Sequence, residues 1–343
     1  MKLHQVALIC LFALAVTVTG SVAAEESEVI ETFSPPVRVE TAMPQYPKEN
    51  QRMGREGWVK VNMMIDPQGK PYDVTVFESS GNKAFEKETI KTLKKFKYQP
   101  AMLNGEPIDA GVQHQITYQL SGKPGASGNF VSHYKRFNKA LREENQERAS
   151  KYLQRMQSYD RNLYEDAFYH LAGFRFAHEY GSENDQYNHL VAATYKHDHL
   201  IFLDPATHLA LLEARAQIEL RLGKLAAARK TATNAIRAYE ENTYPALLDE
   251  IINAVDSFAA SEKVFASKGA VRQDNRYVHH LIKTDFSFDE IDGRIAELRL
   301  HCDKGYVGFA FKPDTRFSVQ QDWSDCRLIA IGDPGTTFTL LEG

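Results

Sequence analysis

The residues best equipped for chemistry in this 343-residue chain are its twelve histidines, its three cysteines and one Ser-Ser-Gly run. His197-Asp198-His199 and the pair His170 and His178 fall in long helical stretches, while His279-His280 and His301 flank a β-rich one. A zinc site needs ligands spaced to converge on one centre, as in His-Glu-x-x-His on a helix. His178-Glu179-Tyr180-Gly181 stops short of that pattern, so the histidines read as solvated or core side chains and no metal ligand is assigned. Ser79-Ser80-Gly81 offers hydroxyls, but no motif supplies a base and an acid beside them. The run reads better as a turn that enters a helix, with Asn82 as N-cap. No Gly-rich phosphate cradle occurs between residues 44 and 120, and no catalytic residue, cofactor or small-molecule substrate is assigned. Lys and Arg number 41 against 45 Asp and Glu, a net charge of −4, with no basic stripe interleaved with aromatics. That balance argues against nucleic acid as a partner.

The elements around that serine run are the most legible in the chain. Val59, Val61, Met63 and Ile65 alternate with Lys60, Asn62 and Met64, the period of a half-buried strand. Asp66-Pro67-Gln68-Gly69 is a turn, and residues 74–78 return as an antiparallel partner. Phe85, Ile90, Leu93 and Phe96 recur at helical spacing, with Lys87, Glu88, Lys91, Lys94 and Lys95 on the wet face. Residues 113–120 alternate again, with Ile116, Tyr118 and Leu120 on one face. The expected order is strand, strand, helix, strand: a small sheet crossed by one helix. Tyr46 and Trp58 read as core or edge aromatics of this unit.

Several uncommon signals fall here in one fixed order: Pro44-Gln45-Tyr46-Pro47, Gly54-Arg55-Glu56-Gly57-Trp58, Ile65-Asp66-Pro67-Gln68-Gly69, Val76-Phe77-Glu78-Ser79-Ser80-Gly81, Phe85-Glu86, Phe96-Lys97-Tyr98-Gln99-Pro100-Ala101 and Asn104-Gly105. This order resembles the C-terminal domain family of TonB, over about a quarter of the chain. The resemblance implies a protein partner in the envelope, a TonB-dependent outer-membrane transporter whose N-terminal box pairs as an extended peptide with an open sheet edge. The candidate partner-binding residues are Met43, Gln45, Tyr46, Val112, Gln113, Gln115, Thr117 and Gln119. The chain departs from the family in three places. Met43 stands where the family has a Gln that touches the box, no Pro-rich spacer precedes the domain, and the anchor's motor-contacting Ser and His have no counterpart. Those departures argue against energy transduction of the usual kind.

The N-terminus carries an export signal. Lys2 precedes an apolar stretch over residues 6–18, and Ser21-Val22-Ala23-Ala24-Glu25 fits cleavage after Ala24, giving a periplasmic protein. An uncleaved inner-membrane anchor is the alternative, although the apolar run is short for a span of about 20 residues. Cys10 lies inside that run after Ile9, which argues against a lipoprotein. Cys302 and Cys326 then remain, and an exported chain with two cysteines in one β region suggests a disulfide, with two buried thiols as the alternative.

The whole chain reads as α+β. Residues 1–24 are a signal peptide, 25–43 a short linker, 44–120 the TonB-C-like sheet-plus-helix domain and 121–129 a Gly/Ser/Pro linker. Residues 130–266 are helical, with breaks expected near Tyr159-Asp160, Gly181-Ser182, Asp204-Pro205, Gly223 and Tyr244-Pro245. Ala216, Gly223, Ala228, Ala232 and Ala235 match the small positions of a TPR-like repeat, although Arg215 occupies a usually apolar position; an irregular bundle is the other reading. Tyr164, Phe168, Phe174, Phe176 and Tyr180 line either a groove or a helix core. Residues 267–343 read as a small antiparallel β domain, with strands over 295–302, 306–311, 317–321, 327–331 and 337–341 and Trp323 packed near the disulfide. Two functions are compatible with these residues: a periplasmic binding module in transport or scaffolding, or an enzyme with its site in the C-terminal β region.

Overall fold

The structure, a computed structural model, describes residues 33–120, 125–158, 160–195, 202–239, 245–320 and 322–343. The expected signal peptide, residues 25–32, some of the 121–129 linker and His197-Asp198-His199 lie outside the described residues. Among the described residues no helix is long and apolar enough to cross a membrane.

The N-terminal region runs β1 (Phe33–Ser34), β2 (Val37–Glu40), α1 (Lys48–Arg52), β3 (Gly57–Ile65), β4 (Pro71–Ser79), α2 (Lys83–Leu93), β5 (Lys97–Gln99), β6 (Ala101–Leu103), β7 (Glu106–Ile108) and β8 (Ala110–Tyr118). The main sheet is antiparallel in the order β4-β3-β8. The turn from β3 to β4 forms because Asp66 Oδ1 accepts the N–H groups of Gln68 and Lys70 at 3.0 and 2.7 Å. Gly69 there has φ 80° and packs so close to Tyr98 that a Cβ would lie 1.9 Å from its carbonyl oxygen. Asn82 caps α2 by accepting from the N–H groups of Ala84 and Phe85, as the sequence predicts. α2 lays Phe85 and Leu93 on Val59, Val61, Met63 and Ile65. The 25–43 linker expectation fails in its second half, because β1 pairs with β6 and β2 with β5, which stitches residues 33–40 onto the domain. The last strand also starts and ends earlier than expected, which leaves Gln119 beyond it.

Seven helices follow among the described residues: α3 (Gly128–Arg142), α4 (Gln146–Gln157), α5 (Leu163–Tyr180), α6 (Glu183–Ala193), α7 (Pro205–Arg221), α8 (Leu225–Ala238) and α9 (Ala246–Ala259). Sequence neighbours pack as spatial neighbours, which short connections favour. The expected breaks coincide with helix ends, and most carry a cap: Asn162 with Glu165, Ser182 with Asp185, and Asp204 ahead of Pro205. A further break, between α3 and α4, lies outside the expected set; Glu144 has φ 52° and Asn145 caps α4. Ala216, Ala228, Ala232 and Ala235 are fully buried where α7, α8 and α9 meet.

The chain then becomes β at Phe265, slightly before the expected boundary: β9 (Phe265–Ala270), β10 (Arg276–His280), β11 (Asp285–Asp292), β12 (Ile295–His301), β13 (Tyr306–Ala310), β14 (Phe317–Ser318), β15 (Arg327–Gly332) and β16 (Thr337–Glu342). Two four-stranded antiparallel sheets, ordered β10-β15-β12-β13 and β14-β11-β16-β9, enclose Phe286, Phe288, Leu298, Leu300, Leu328 and Phe338. β9, β10 and β11 are hidden in the sequence because Ala-Ser-Lys-Gly, His-His and Asp-Glu interrupt their apolar alternation. Cys302 and Cys326 form the expected disulfide across 24 residues of chain, and Trp323 packs against the same core. Replacing both cysteines with serine should lower stability by about 3–4 kcal/mol on the chain-entropy account. Urea unfolding of the oxidised protein and the double variant measures this, and equal midpoints would contradict it.

Candidate functional site

The continuous register of β3 against β8 settles where each candidate on the last strand points. Val112, Ile116 and Tyr118 face α2 with Val59, Val61 and Met63, and half-buried Val112 packs against that core. Gln113, Gln115 and Thr117 share the opposite face with Trp58, Lys60 and Asn62. Gln113 and Gln119 are exposed. Gln115 Nε2 donates to the Tyr195 hydroxyl at 3.3 Å, and Thr117 Oγ1 lies 2.5 Å from the same oxygen. At the far end, Tyr46 donates to the Arg55 carbonyl at 2.5 Å and meets Phe85 and Tyr118 edge-on at 5.6 and 5.7 Å. The Gln45 N–H donates to Glu88 Oε1 at 3.1 Å while its side chain is exposed, and Met43 is 93% exposed. The structure therefore brings Tyr46 to the Tyr118 end of β8 and separates both from Val112.

β8 is a terminal strand of its sheet. The Trp58 N–H turns toward β4, where it donates to Ser80 Oγ, so the paired Thr117 directs its backbone groups away from β3. By the same alternation Gly111, Gln113 and Gln115 present theirs outward. The first of these is occupied within the chain: the Gly111 N–H donates to the Cys302 carbonyl at 3.2 Å.

The second face of the sheet, expected to be half wet, is covered. The Trp58 ring, 1% exposed, stacks on Tyr195 at 4.3 Å with 7° between planes. Glu78 on β4 receives Arg215 Nη2 at 2.5 Å and Lys60 Nζ at 2.8 Å, and Arg215 Nε also reaches buried Glu219 at 2.8 Å. Burial pushes the Glu78 pKa up, but Arg215 and Lys60 outweigh it and bring it down to about 2. Glu56 bridges two regions by accepting the N–H groups of Leu120 and Leu163 at 2.8 and 2.9 Å. Arg215, the residue that breaks the repeat pattern, was the available signal for this contact; nothing marked its partner.

The sandwich docks against β4 through Asp73, whose φ of 44° places it beside irregular pairing with β3. Its carboxylate sits 3.2 Å from Arg276, 3.2 Å from Arg299 and 3.0 Å from His301 Nε2. Burial alone would raise its pKa, yet His301, Arg276 and Arg299 together hold it well below the usual carboxylate range.

Other candidates resolve as packing or turns. Ser79 Oγ donates to Glu86 Oε1 at 2.7 Å, which suits the turn reading. His170 faces His189, not His178, with their Nδ1 atoms 2.9 Å apart. Phe168, Phe174 and Phe176 pack into helix cores. A cavity of about 770 Å³ lined by Leu141, Arg142, Phe174, Arg175, His178 and Tyr180 opens at the α3–α4 turn. No group of three or more His, Cys, Asp or Glu residues able to hold a metal occurs among the described residues.

The sheet β4-β3-β8 crossed by α2 falls within residues 42–120, which match the family model described as Gram-negative bacterial TonB protein C-terminal. Protein TonB of Vibrio cholerae is 29% identical over 79 residues, 23% of this chain and 32% of that protein. Protein TonB of Escherichia coli is 27% identical over 106 residues, 31% and 42% respectively, and Pseudomonas aeruginosa protein tonB2 is 30% identical over 78 residues, 23% and 29%. The chain thus spans under half the length of each of these relatives. The solution NMR structure of the Pseudomonas aeruginosa TonB CTD shares 24% identity over 26% of this chain and 92% of that one, at a TM-score of 0.24. The tonb2 protein of Vibrio anguillarum shares 30% over 25% and 82%, at 0.21. At those TM-scores neither structure bears on the function of this chain.

Glu78 has a depressed folded pKa, so its stabilising contribution is complete above its ordinary value of 4.5 and is lost as pH falls toward about 2. Arg215→Ala should cost about 3–5 kcal/mol at neutral pH, because it strands buried Glu219 and leaves Glu78 with Lys60 alone. It should also flatten the acid limb between those pH values. Denaturant midpoints taken across the pH range test both, and an unchanged limb would discount the contact.

Proposed function

We propose that the chain is an exported envelope protein whose residues 42–120 bind an extended peptide of a protein partner, in a TonB-like transport-related or scaffolding role. Export by a signal cleaved after Ala24 and location in the periplasm belong to the same reading. The observation that carries it is the terminal position of β8 in a sheet whose sequence matches the TonB C-terminal family. A strand added there binds through its backbone, and alternate side chains give selectivity. The outer-membrane transporter's N-terminal box is the leading candidate for that peptide. Exposed Met43, Gln45, Gln113 and Gln119 and the engaged Tyr46, Gln115 and Thr117 would flank it, whereas Val112 would support the strand from within. Met43 in place of the family's Gln predicts altered specificity. The helices serve as a TPR-like scaffold that holds the sheet from behind, and the role of the whole needs no bound cofactor or small molecule.

Full-length mature protein titrated with transporter-box peptides, read by amide shifts, tests the reading. Shifts should concentrate at residues 113–119, with the Gly111 amide little changed because Cys302 already holds it. Silence at millimolar peptide, or shifts confined to Lys83–Leu93, would reject edge pairing.

A further inference from the structure

Arg327 stands apart from every other buried ion at the seam between the sandwich and the β4-β3-β8 sheet. It opens β15 directly after Cys326, in register with His280 on β10 and His301 on β12. The side chain is 5% exposed, and its guanidinium makes no hydrogen bond or ion pair among the described residues; Nε is fully buried without a partner. Its neighbours on the same sheet, Arg276 and Arg299, both reach Asp73. Glu78 and Arg215 pair with each other. A guanidinium has five donors and no acceptor, and leaving it buried without an anion is costly. Burial pushes its pKa down to about 10, with Asp325 and Asp73 opposing only weakly.

Its position says what could complete it. Arg327 Nη2 lies 3.4 Å from where a Cβ on Gly111 would stand, so the guanidinium overlies the first row of β8. At that row the outward N–H is taken by Cys302, so a strand added along β8 ends opposite Gln113. Diagonal side chains on adjacent strands are roughly 7–8 Å apart, within reach of a long side chain. We infer that Arg327 receives a carboxylate carried by an acidic side chain of the partner peptide, at the end of the peptide that meets the sandwich. The inference rests on the edge-pairing reading above and adds the chemistry of the partner: an extended segment with an acidic residue at one terminus. Two parallel N–H donors would face both carboxylate oxygens, a pairing that an ammonium cannot copy.

The test uses the full chain and synthetic transporter-box peptides that differ only by Glu→Gln at the first or the last paired position. One Glu peptide should bind about tenfold tighter than its Gln counterpart, the size expected for one charge-assisted contact. Arg327→Gln should abolish that preference while leaving the Gln peptide's affinity unchanged, and Arg327→Lys should keep some of it. The thermal midpoint of Arg327→Gln should stay level or rise, because the change removes an unpaired buried charge. Equal affinities of Glu and Gln peptides for the natural chain, a preference that survives Arg327→Gln, or a marked fall in that variant's midpoint would each overturn the inference and leave edge pairing standing. Failure of every peptide to bind would instead remove the edge-pairing reading itself.

Discussion

The β4-β3-β8 sheet is buried on both faces, and the rest of the molecule is arranged around that fact. One face is closed by α2 in the ordinary way of a small sheet-and-helix unit. The other carries Trp58 and Met64, both essentially inaccessible, together with the buried polar side chains Asn62 and Thr75. An apolar surface of that kind cannot be left in water without loss of stability, and of its polar groups Thr75 Oγ1 accepts from Arg276 while Asn62 Oδ1 is buried without a partner. Tyr195 and Arg215 from the helices and Arg276, Arg299 and His301 from the sandwich supply that cover. Three stretches that differ in composition therefore belong to a single compact unit over the described residues from 33 to 343.

The linker composition of residues 121–129 suggests separable domains. Its described end instead starts a helix, with Ser127 capping α3 at Gly128, and the contacts on either side hold the flanking regions together. Glu56 alone ties the end of the sheet at Leu120 to the start of α5 at Leu163. Linker composition is a local property, whereas domain independence depends on which surfaces the linked regions cover.

Elements with strong local signals were legible in the sequence. The 66–69 turn, the Asn82 cap, the helix breaks at Asp204-Pro205 and Gly223, and the disulfide all depend on residues close in sequence or on rare cysteines. The seam was not legible, because its partners lie far apart: Glu78 with Arg215, and Asp73 with Arg276 and Arg299. A charged residue in a strand looks like a solvated position until a distant segment is known to sit on it. Arg215 did stand out as a charge at an apolar repeat position. Asp73 did not, although its left-handed backbone is the more unusual feature. The last strand shows a related point: alternation is visible, but which of the two sets faces the helix depends on register, and that turns half-buried Val112 toward α2.

The N-terminal arm has a consequence for local opening. β1 pairs with β6 at two positions and β2 with β5 at three, whereas β3 and β8 are joined along nine. Local opening breaks the two short ladders first, because each holds few pairs, while the long ladder stays closed. Residues 33–40 are thus the part of the domain freed at least cost, and the sheet they lie against can stay folded without them.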